Sequence, residues 1–342
     1  MKLKHVIIPI FVPHLGCPND CIFCNQVKIA NASTDITVDD VRNTVESHLK
    51  TIDLDNTLVE ISFFGGTFTG IDPQIQKSFL QIAKTYKDRG LVQKIRLSTR
   101  PDCIDREILD YLKAYGVDII ELGVQSLDAA VLKANRRGHS CEDVRQATRL
   151  IRDYTFELGL QIMPGLYQSS HEIDLQTVNQ VIALSPDFVR VYPTLVVKNT
   201  YLEQLYLEGK YQPLTLDEAI EACAHIYERL EKAHIPIIRM GLQPTENMQL
   251  DRDIVAGPFH PSFKQLVQSE VVYKKVEAIL RNSQPKDHMT LWVEKRYVST
   301  LVGNHRKNKL RWMKAYPQLK IQVGDHKGLL VVVNEKTYDI SL

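Results

Sequence analysis

The chain has 342 residues, a formal net charge of +1, 44% hydrophobic and 24% charged residues. Those proportions exclude wholesale disorder, and no apolar run reaches the ~18–20 residues that a bilayer span needs. The opening Met-Lys-Leu-Lys-His and VIIPIFVP are proline-broken and lead into cysteines rather than a cleavage site, so they read as a buried strand of a cytoplasmic protein.

Apolar, β-branched segments alternate with helical patterns along most of the chain. Strands are predicted at 5–12, 58–64, 93–99, 118–124, 157–163, 187–192 and 235–240. Helices are predicted near 37–51, 73–88, 105–115, 141–154, 172–184 and 215–233. Thr37-Val-Asp-Asp starts like a capped helix, and Asp72-Pro73 puts proline where a first turn tolerates it. Such alternation implies parallel strands with right-handed crossovers. The near-continuous apolar strands suit a covered sheet. An open or partial β/α barrel is the most economical arrangement, with chemistry at the carboxyl ends of its strands.

The alternation stops near residue 257, where Ala256-Gly-Pro-Phe-His-Pro261 interrupts any helix. This divides the chain into a domain over 1–257 and a small α+β domain over 258–342. The second part is predicted as a helix over 262–281, a strand near 289–293, a basic stretch, and a meander over 319–341. Within the meander, QVGDHKGLLVVV reads as a turn between two strands.

Three of the six cysteines fall within eight residues, as Cys17, Cys21 and Cys24 at spacing C-x-x-x-C-x-x-C just after the first strand. A disulfide scaffold would be shorter and denser in cysteine, so the trio reads as metal binding in a reducing compartment. Thiolates suit an iron–sulfur cluster or zinc. His14 offers a fourth ligand for a Cys₃His zinc site, and both readings stand on spacing alone. Cys103, Cys141 and Cys223 are scattered singly and read as small buried hydrophobes.

The motif, with an aromatic before its last cysteine, resembles the signature of radical S-adenosylmethionine enzymes. Phe64-Gly-Gly-Thr-Phe68, Thr99-Arg-Pro-Asp102, Glu121-Leu-Gly-Val-Gln-Ser126 and Arg137-Gly-His139 are similar to segments of the Elongator catalytic subunit's radical domain. So are Ile162-Met-Pro-Gly165 and Val191-Tyr-Pro-Thr-Leu-Val-Val-Lys198, all in that family's order over about residues 5–257. There are two departures. The first cysteine gap is shorter than Elongator's, and nothing in the sequence corresponds to its carboxy-terminal acetyltransferase domain.

The resemblance implies a partial (β/α)6-type TIM barrel of the radical kind and a cytoplasmic enzyme. It implies that Cys17, Cys21 and Cys24 hold a 4Fe–4S cluster whose fourth iron is chelated by S-adenosylmethionine. Reductive cleavage would then give a 5′-deoxyadenosyl radical, with a flavodoxin or ferredoxin as one-electron reductant. Gly65 and Gly66 would meet the methionine amino group, with Thr67 beside them. Gln125 would contact the ribose and Arg137 the methionyl carboxylate, a task suited to a guanidinium fork. Adjacent Arg136 leaves the choice of arginine open. Without the resemblance, the glycines are a strand-ending turn and the arginines a solvated helix end. Arg100, Tyr192 and Lys198 also lie near strand ends and are candidates to face substrate or to be structural.

Residues 281–320 carry ten Lys/Arg against Asp287 and Glu294, a local +8 that leaves −7 for the remainder. Here Arg306, Lys307, Lys309 and Arg311 surround Trp312, so the cations could neutralise phosphates while the indole stacks on a base. The competing reading is a solvated amphipathic helix with Leu310, Trp312 and Met313 partly buried. Elongator-like enzymes modify the wobble uridine of tRNA, which makes tRNA a candidate partner. A small-molecule radical reaction of the coproporphyrinogen-oxidase kind and a zinc-containing RNA-binding protein are the competing functions.

Overall fold

The computed structural model describes residues 4–12, 17, 20–25, 36–242, 249–250, 252–281, 288–324 and 327–340. Its main feature is a parallel sheet in the order β1 (Lys4–Val12), β2 (Thr57–Gly65), β3 (Lys94–Thr99), β4 (Ile119–Gln125), β5 (Glu157–Ile162), β6 (Phe188–Val191) and β8 (Ile237–Met240). Neighbours in this sheet follow chain order, as a barrel requires. Seven strands take part, one more than the six of the expected (β/α)6 type. The short β7 (Val196–Val197) leaves the sheet and pairs antiparallel with β9 (Ile254–Ala256).

The covering helices are α1 (Val38–Leu49), α2 (Pro73–Asp88), α3 (Arg106–Ala114), α4 (Ala129–Ala134), α5 (Cys141–Asp153), α6 (His171–Leu184), α7 (Tyr201–Leu207) and α8 (Leu216–Lys232). The Thr37 hydroxyl caps α1 in a reciprocal box with Asp40, and Asp72 caps α2 with Pro73 in its first turn. α4 and α7 fall on no predicted helix; each is less than two full turns and too brief to show periodicity. No described helix is long and apolar enough to cross a membrane.

Strand register separates two faces. Ile8, Ile10, Val59, Ile61, Phe63, Ile95 and Leu97 are fully or almost fully buried in the apolar core of the barrel. The alternate residues Ile7, Pro9, Phe64, Ser98, Glu121, Gln161 and Arg190 line a cavity instead. Because side chains alternate with period two, one strand builds the core and the concave face at once.

Beyond residue 257, α9 (Phe263–Leu280) contributes to two cores. Phe263, Val267 and Val271 join the barrel core, whereas Val272, Val276 and Leu280 join a second one. The second core underlies a four-stranded sheet in the order β11 (Lys320–Gly324), β10 (Met289–Glu294), β12 (Leu329–Val333) and β13 (Lys336–Ile340). α10 (Val298–Val302) and α11 (Lys307–Ala315) connect β10 to β11. The expected meander is corrected here. β11 pairs parallel with β10 on one side, and β12 pairs antiparallel on the other, so QVGDHKGLLVVV joins two strands that do not touch. β10 takes the centre because Met289, Leu291 and Val293 are all buried, whereas β11 is an edge with Val323 exposed.

Trp312 is also corrected. Its side chain is fully buried, stacked on Tyr273 at 5.5 Å in the second core, so the ring cannot receive a base. Leu310 and Met313 point outward instead. Arg311 lies over the Tyr273 ring and donates to Glu270, and Lys307 pairs with Asp217, while Arg306 is exposed and Lys309 half-buried.

Candidate active site

A cavity of about 630 Å³ opens at the carboxyl ends of the parallel strands. Cys17, Cys21, Cys24, Gly65, Gly66, Thr67, Gln125 and Arg137 all line it. These residues come from segments up to 120 positions apart in sequence. Arg100 and Tyr192 line it as well, whereas Lys198 does not. His14, the alternative zinc ligand, lies outside the described residues.

The cysteine loop is held by apolar anchors between its ligands. Ile22 and Phe23 are buried against Val131, Leu166, Val196, Leu202 and Leu205. Backbone bonds pin the same turn: Ile22 N–H donates to Asn135 O (3.2 Å), and Leu202 N–H donates to Ile22 O (2.8 Å). Cys24 N–H donates to Cys21 O (3.0 Å), which turns the chain between the last two thiols. The aromatic of the motif therefore has a packing role that fixes where the sulfurs sit.

Gly65 ends β2 at φ +104°, and a Cβ there would lie 2.8 Å from Val12 O. Gly66 N–H donates to that carbonyl (3.2 Å), binding the end of β2 to the strand that leads into the cysteine loop. A side chain at Gly65 would break this approach. Thr67 is buried, and the turn after it is anchored by Phe68 on Phe63 at 4.8 Å. Thr69 ties this turn to Thr99 Oγ1 at the end of β3 and to Cys103 O in the turn beyond it (2.5 and 2.6 Å).

Gln125 ends β4 at φ +67° where the β4–β5 register shifts, and Ser126 N–H closes a tight turn on Val124 O (2.9 Å). A non-glycine residue in this region stores strain, which clusters at functional sites. Its side-chain carbonyl accepts from Gln161 Nε2 (3.2 Å).

The two adjacent arginines differ in placement. Arg136 is exposed, its guanidinium over Tyr201 at 4.4 Å. Arg137 turns into the cavity, 7% exposed, donating to Gly123 O (2.5 Å) and to Cys21 Sγ (3.5 Å). Its Nε, and Nη1 of the buried Arg100, have no partner among the described residues. Arg100 is otherwise held by Asp102 in a two-point contact (2.9 and 2.8 Å). Burial, helped by Arg137 and Arg100, pushes the His139 imidazole down to about 3, so it stays neutral beside them. Burial also drives the Cys103 thiol up to about 11 and raises those of Cys141 and Cys223, which disfavours thiolate at each.

Sequence reasoning missed the ionic floor of this cavity. Glu60, Arg96 and Glu121 are buried, and Arg190 is nearly so. Arg96 donates to Glu60 (3.0 Å) and also pairs with Glu121, which in turn accepts from Arg190 Nε (3.1 Å). Arg190 Nη1 then donates to the Tyr192 hydroxyl (3.1 Å). The signal was a charged residue set between apolar ones inside a strand, as Arg96 is in KIRLST and Arg190 in FVRV.

Three soft donors opening on one cavity, beside buried guanidinium N–H groups without partners, suit an iron–sulfur cluster with an anionic ligand next to it. Among the described residues no three His, Cys, Asp or Glu side chains converge on a point where one metal ion would sit. A cubane cluster takes one thiolate per iron and does not ask for such convergence.

Family comparison agrees. Residues 11–175 match the Radical SAM superfamily and residues 186–273 match the Radical_SAM C-terminal domain. A tRNA uridine(34) acetyltransferase of Methanocaldococcus infernus is 30% identical over 240 residues, covering 64% of this chain and 43% of that protein. The chain thus spans less than half the length of that relative. A Methanocaldococcus jannaschii protein described only as uncharacterised is 30% identical over 243 residues, covering 67% of this chain and 73% of its own. The fold is similar to that of archaeal Elp3 from Methanocaldococcus infernus, with a TM-score of 0.60 at 23% identity, over 82% of this chain and 64% of that one. The chain is an enzyme of the radical S-adenosylmethionine superfamily, built on that superfamily's partial barrel and related to Elp3.

Proposed function

We propose that this enzyme reductively cleaves S-adenosylmethionine at a 4Fe–4S cluster and uses the resulting radical to modify tRNA at a wobble-type uridine. The observation that carries the reading is the single cavity shared by Cys17, Cys21, Cys24, Gly65, Gly66, Thr67, Gln125 and Arg137. The tRNA part is supported by the 30% identical relative, a tRNA uridine(34) acetyltransferase.

Each residue has a definite task in this reading. Cys17, Cys21 and Cys24 hold the cluster, and the packing of Ile22 and Phe23 presets their positions. The chemistry a bound cluster would supply there is one-electron reduction of the S-adenosylmethionine sulfonium, which would split it into methionine and a 5′-deoxyadenosyl radical. Gly65 and Gly66 expose backbone to the methionine amino group, with Thr67 closing that side. Arg137 takes the methionyl carboxylate with its uncommitted N–H, and Gln125 takes the ribose. The reductant is a small one-electron carrier of the flavodoxin or ferredoxin class. A reducing cytoplasm suits free thiolates.

The division near residue 257 is part of the same proposal, since two apolar cores meet along α9. On the basic face, Arg306, Lys307 and Lys309 are the cations proposed to meet tRNA phosphates. Arg311 is committed to Glu270 and Tyr273. Nucleoside profiling of tRNA from cells lacking the gene tests the substrate: loss of one modified wobble uridine is expected, and an unchanged profile refutes tRNA.

A further inference from the structure

Arg100 follows the last residue of β3 and is 1% exposed. Asp102 fixes one edge of its guanidinium, accepting from Nε (2.9 Å) and Nη2 (2.8 Å). The opposite nitrogen, Nη1, is buried and has no partner among the described residues. Leaving a buried charged donor unmatched is costly, so such a group calls for a partner that the protein itself does not supply. The backbone holds Arg100 where it is. Cys103 N–H donates to Arg100 O (3.2 Å), and Thr69 Oγ1 in turn donates to Cys103 O (2.6 Å).

The surroundings narrow what that partner is. Arg100 lines the same cavity as Cys17, Cys21 and Arg137. Burial works against its charge, while Asp102 and then the thiols of Cys17 and Cys21 favour it. The neighbouring titratable side chains offer no such help, because burial holds the His139 imidazole and the Cys103 thiol neutral. Arg137, the other buried cation on this side, donates to Cys21 Sγ (3.5 Å). Two guanidiniums therefore stand near the thiols, and among the described residues Asp102 is the one carboxylate paired with either.

We propose that Arg100 Nη1 donates to a sulfur of the 4Fe–4S cluster held by Cys17, Cys21 and Cys24, and thereby raises its reduction potential. The proposal rests on the radical reading, since it takes the cluster as the missing partner. Sulfides and thiolates outweigh the iron charge in such a cluster, and one-electron reduction makes it more negative still. A buried cation bonded to sulfur favours the reduced form over the oxidised one, which moves the potential upward. Arg100 is then a tuning residue for the cluster, whereas Arg137 serves the methionyl carboxylate of S-adenosylmethionine.

The test is an anaerobic redox titration of the reconstituted full chain, read by electron paramagnetic resonance without S-adenosylmethionine. Arg100→Gln should shift the one-electron equilibrium about tenfold toward the oxidised cluster, which lowers the midpoint by about 59 mV. Arg100→Lys should fall between, because one ammonium cannot hold Asp102 and a sulfur in the same geometry. S-adenosylmethionine affinity should stay at the parent value in Arg100→Gln and drop about tenfold in Arg137→Gln. A parent-like midpoint in Arg100→Gln overturns the proposal, and so does one accompanied by weaker S-adenosylmethionine binding, which would make Arg100 a second carboxylate ligand. Should Arg100→Gln fail to hold iron, Arg100→Lys carries the test, and a parent-like midpoint there overturns the proposal. Absence of iron and sulfide in the reconstituted parent overturns the radical reading together with this one. A normal parent cluster whose midpoint ignores position 100 counts against this proposal alone.

Discussion

Arg137 reaches the Gly123 carbonyl at 2.5 Å through space that any side chain on Gly123 would fill, since a Cβ there would stand 2.8 Å from the guanidinium. Sequence places these residues on a strand and beyond the following helix, yet one exists to admit the other. Gly123→Ala should push Arg137 out of position while the strand persists. The expected result is S-adenosylmethionine binding weakened by about tenfold or more, on the scale of a charged hydrogen bond. Equilibrium binding to the reconstituted protein, with circular dichroism as the folding control, checks this.

Gly65 should respond differently, because its constraint is in the backbone. At φ +104°, with Val12 O only 2.8 Å from where a methyl group would sit, Gly65→Ala combines conformational strain with a steric clash. A loss of about 1–3 kcal/mol in stability is expected. Chemical denaturation measures it, and Gly90→Ala, where a Cβ meets nothing within 4 Å, is the comparison that shares positive φ without the clash.

Much of the fold was legible because the sequence carries period two and period 3.6 in long enough stretches. All seven predicted strands and six predicted helices of the barrel region fall on observed elements. The edge order of the second sheet was not legible, since β11, β10 and β12 differ in burial rather than in pattern. In the site, the cysteine spacing and glycine pair marked themselves. Arg190 and Glu121 did not, because a charge inside a strand normally signals a solvated face, and only barrel curvature turns that face inward. Trp312 misled for a similar reason: its basic neighbours lie on the outer side of α11 while it faces the core.

Burial of Trp312 leads to a prediction about the basic segment. Trp312→Ala should cost about 3–5 kcal/mol by opening the second core, whereas Arg306→Ala should stay within about 0.5 kcal/mol. Thermal or chemical denaturation separates them. Should tRNA bind here, replacing Arg306 and Lys307 by Gln should lower the salt dependence of binding, by about one unit of slope for each phosphate no longer neutralised.

Asp174 provides a pH test away from the cysteines. Burial pushes its carboxyl from 3.8 up to about 6, against the lowering effect of Ser169 Oγ–H (2.6 Å) and Gly165 N–H (2.8 Å). Because the folded state holds this proton more tightly, the stabilisation is full below about pH 3.8 and lost as pH rises through about 6. Relative to Asp174→Asn, the parent should therefore lose about 2–3 kcal/mol between these limits. Urea denaturation at several pH values reads the difference, and parallel curves for the two proteins would contradict the assignment.

The radical chemistry depends most on what Cys17, Cys21 and Cys24 hold. The direct measurement is anaerobic reconstitution with iron and sulfide, followed by S-adenosylmethionine and dithionite, with metal analysis and quantification of 5′-deoxyadenosine. Equal iron and sulfide in a brown protein, reductant-dependent 5′-deoxyadenosine, and loss of both in Cys21→Ser are the predicted result. A colourless protein that takes up zinc, holds no iron or sulfide and leaves S-adenosylmethionine intact would contradict it.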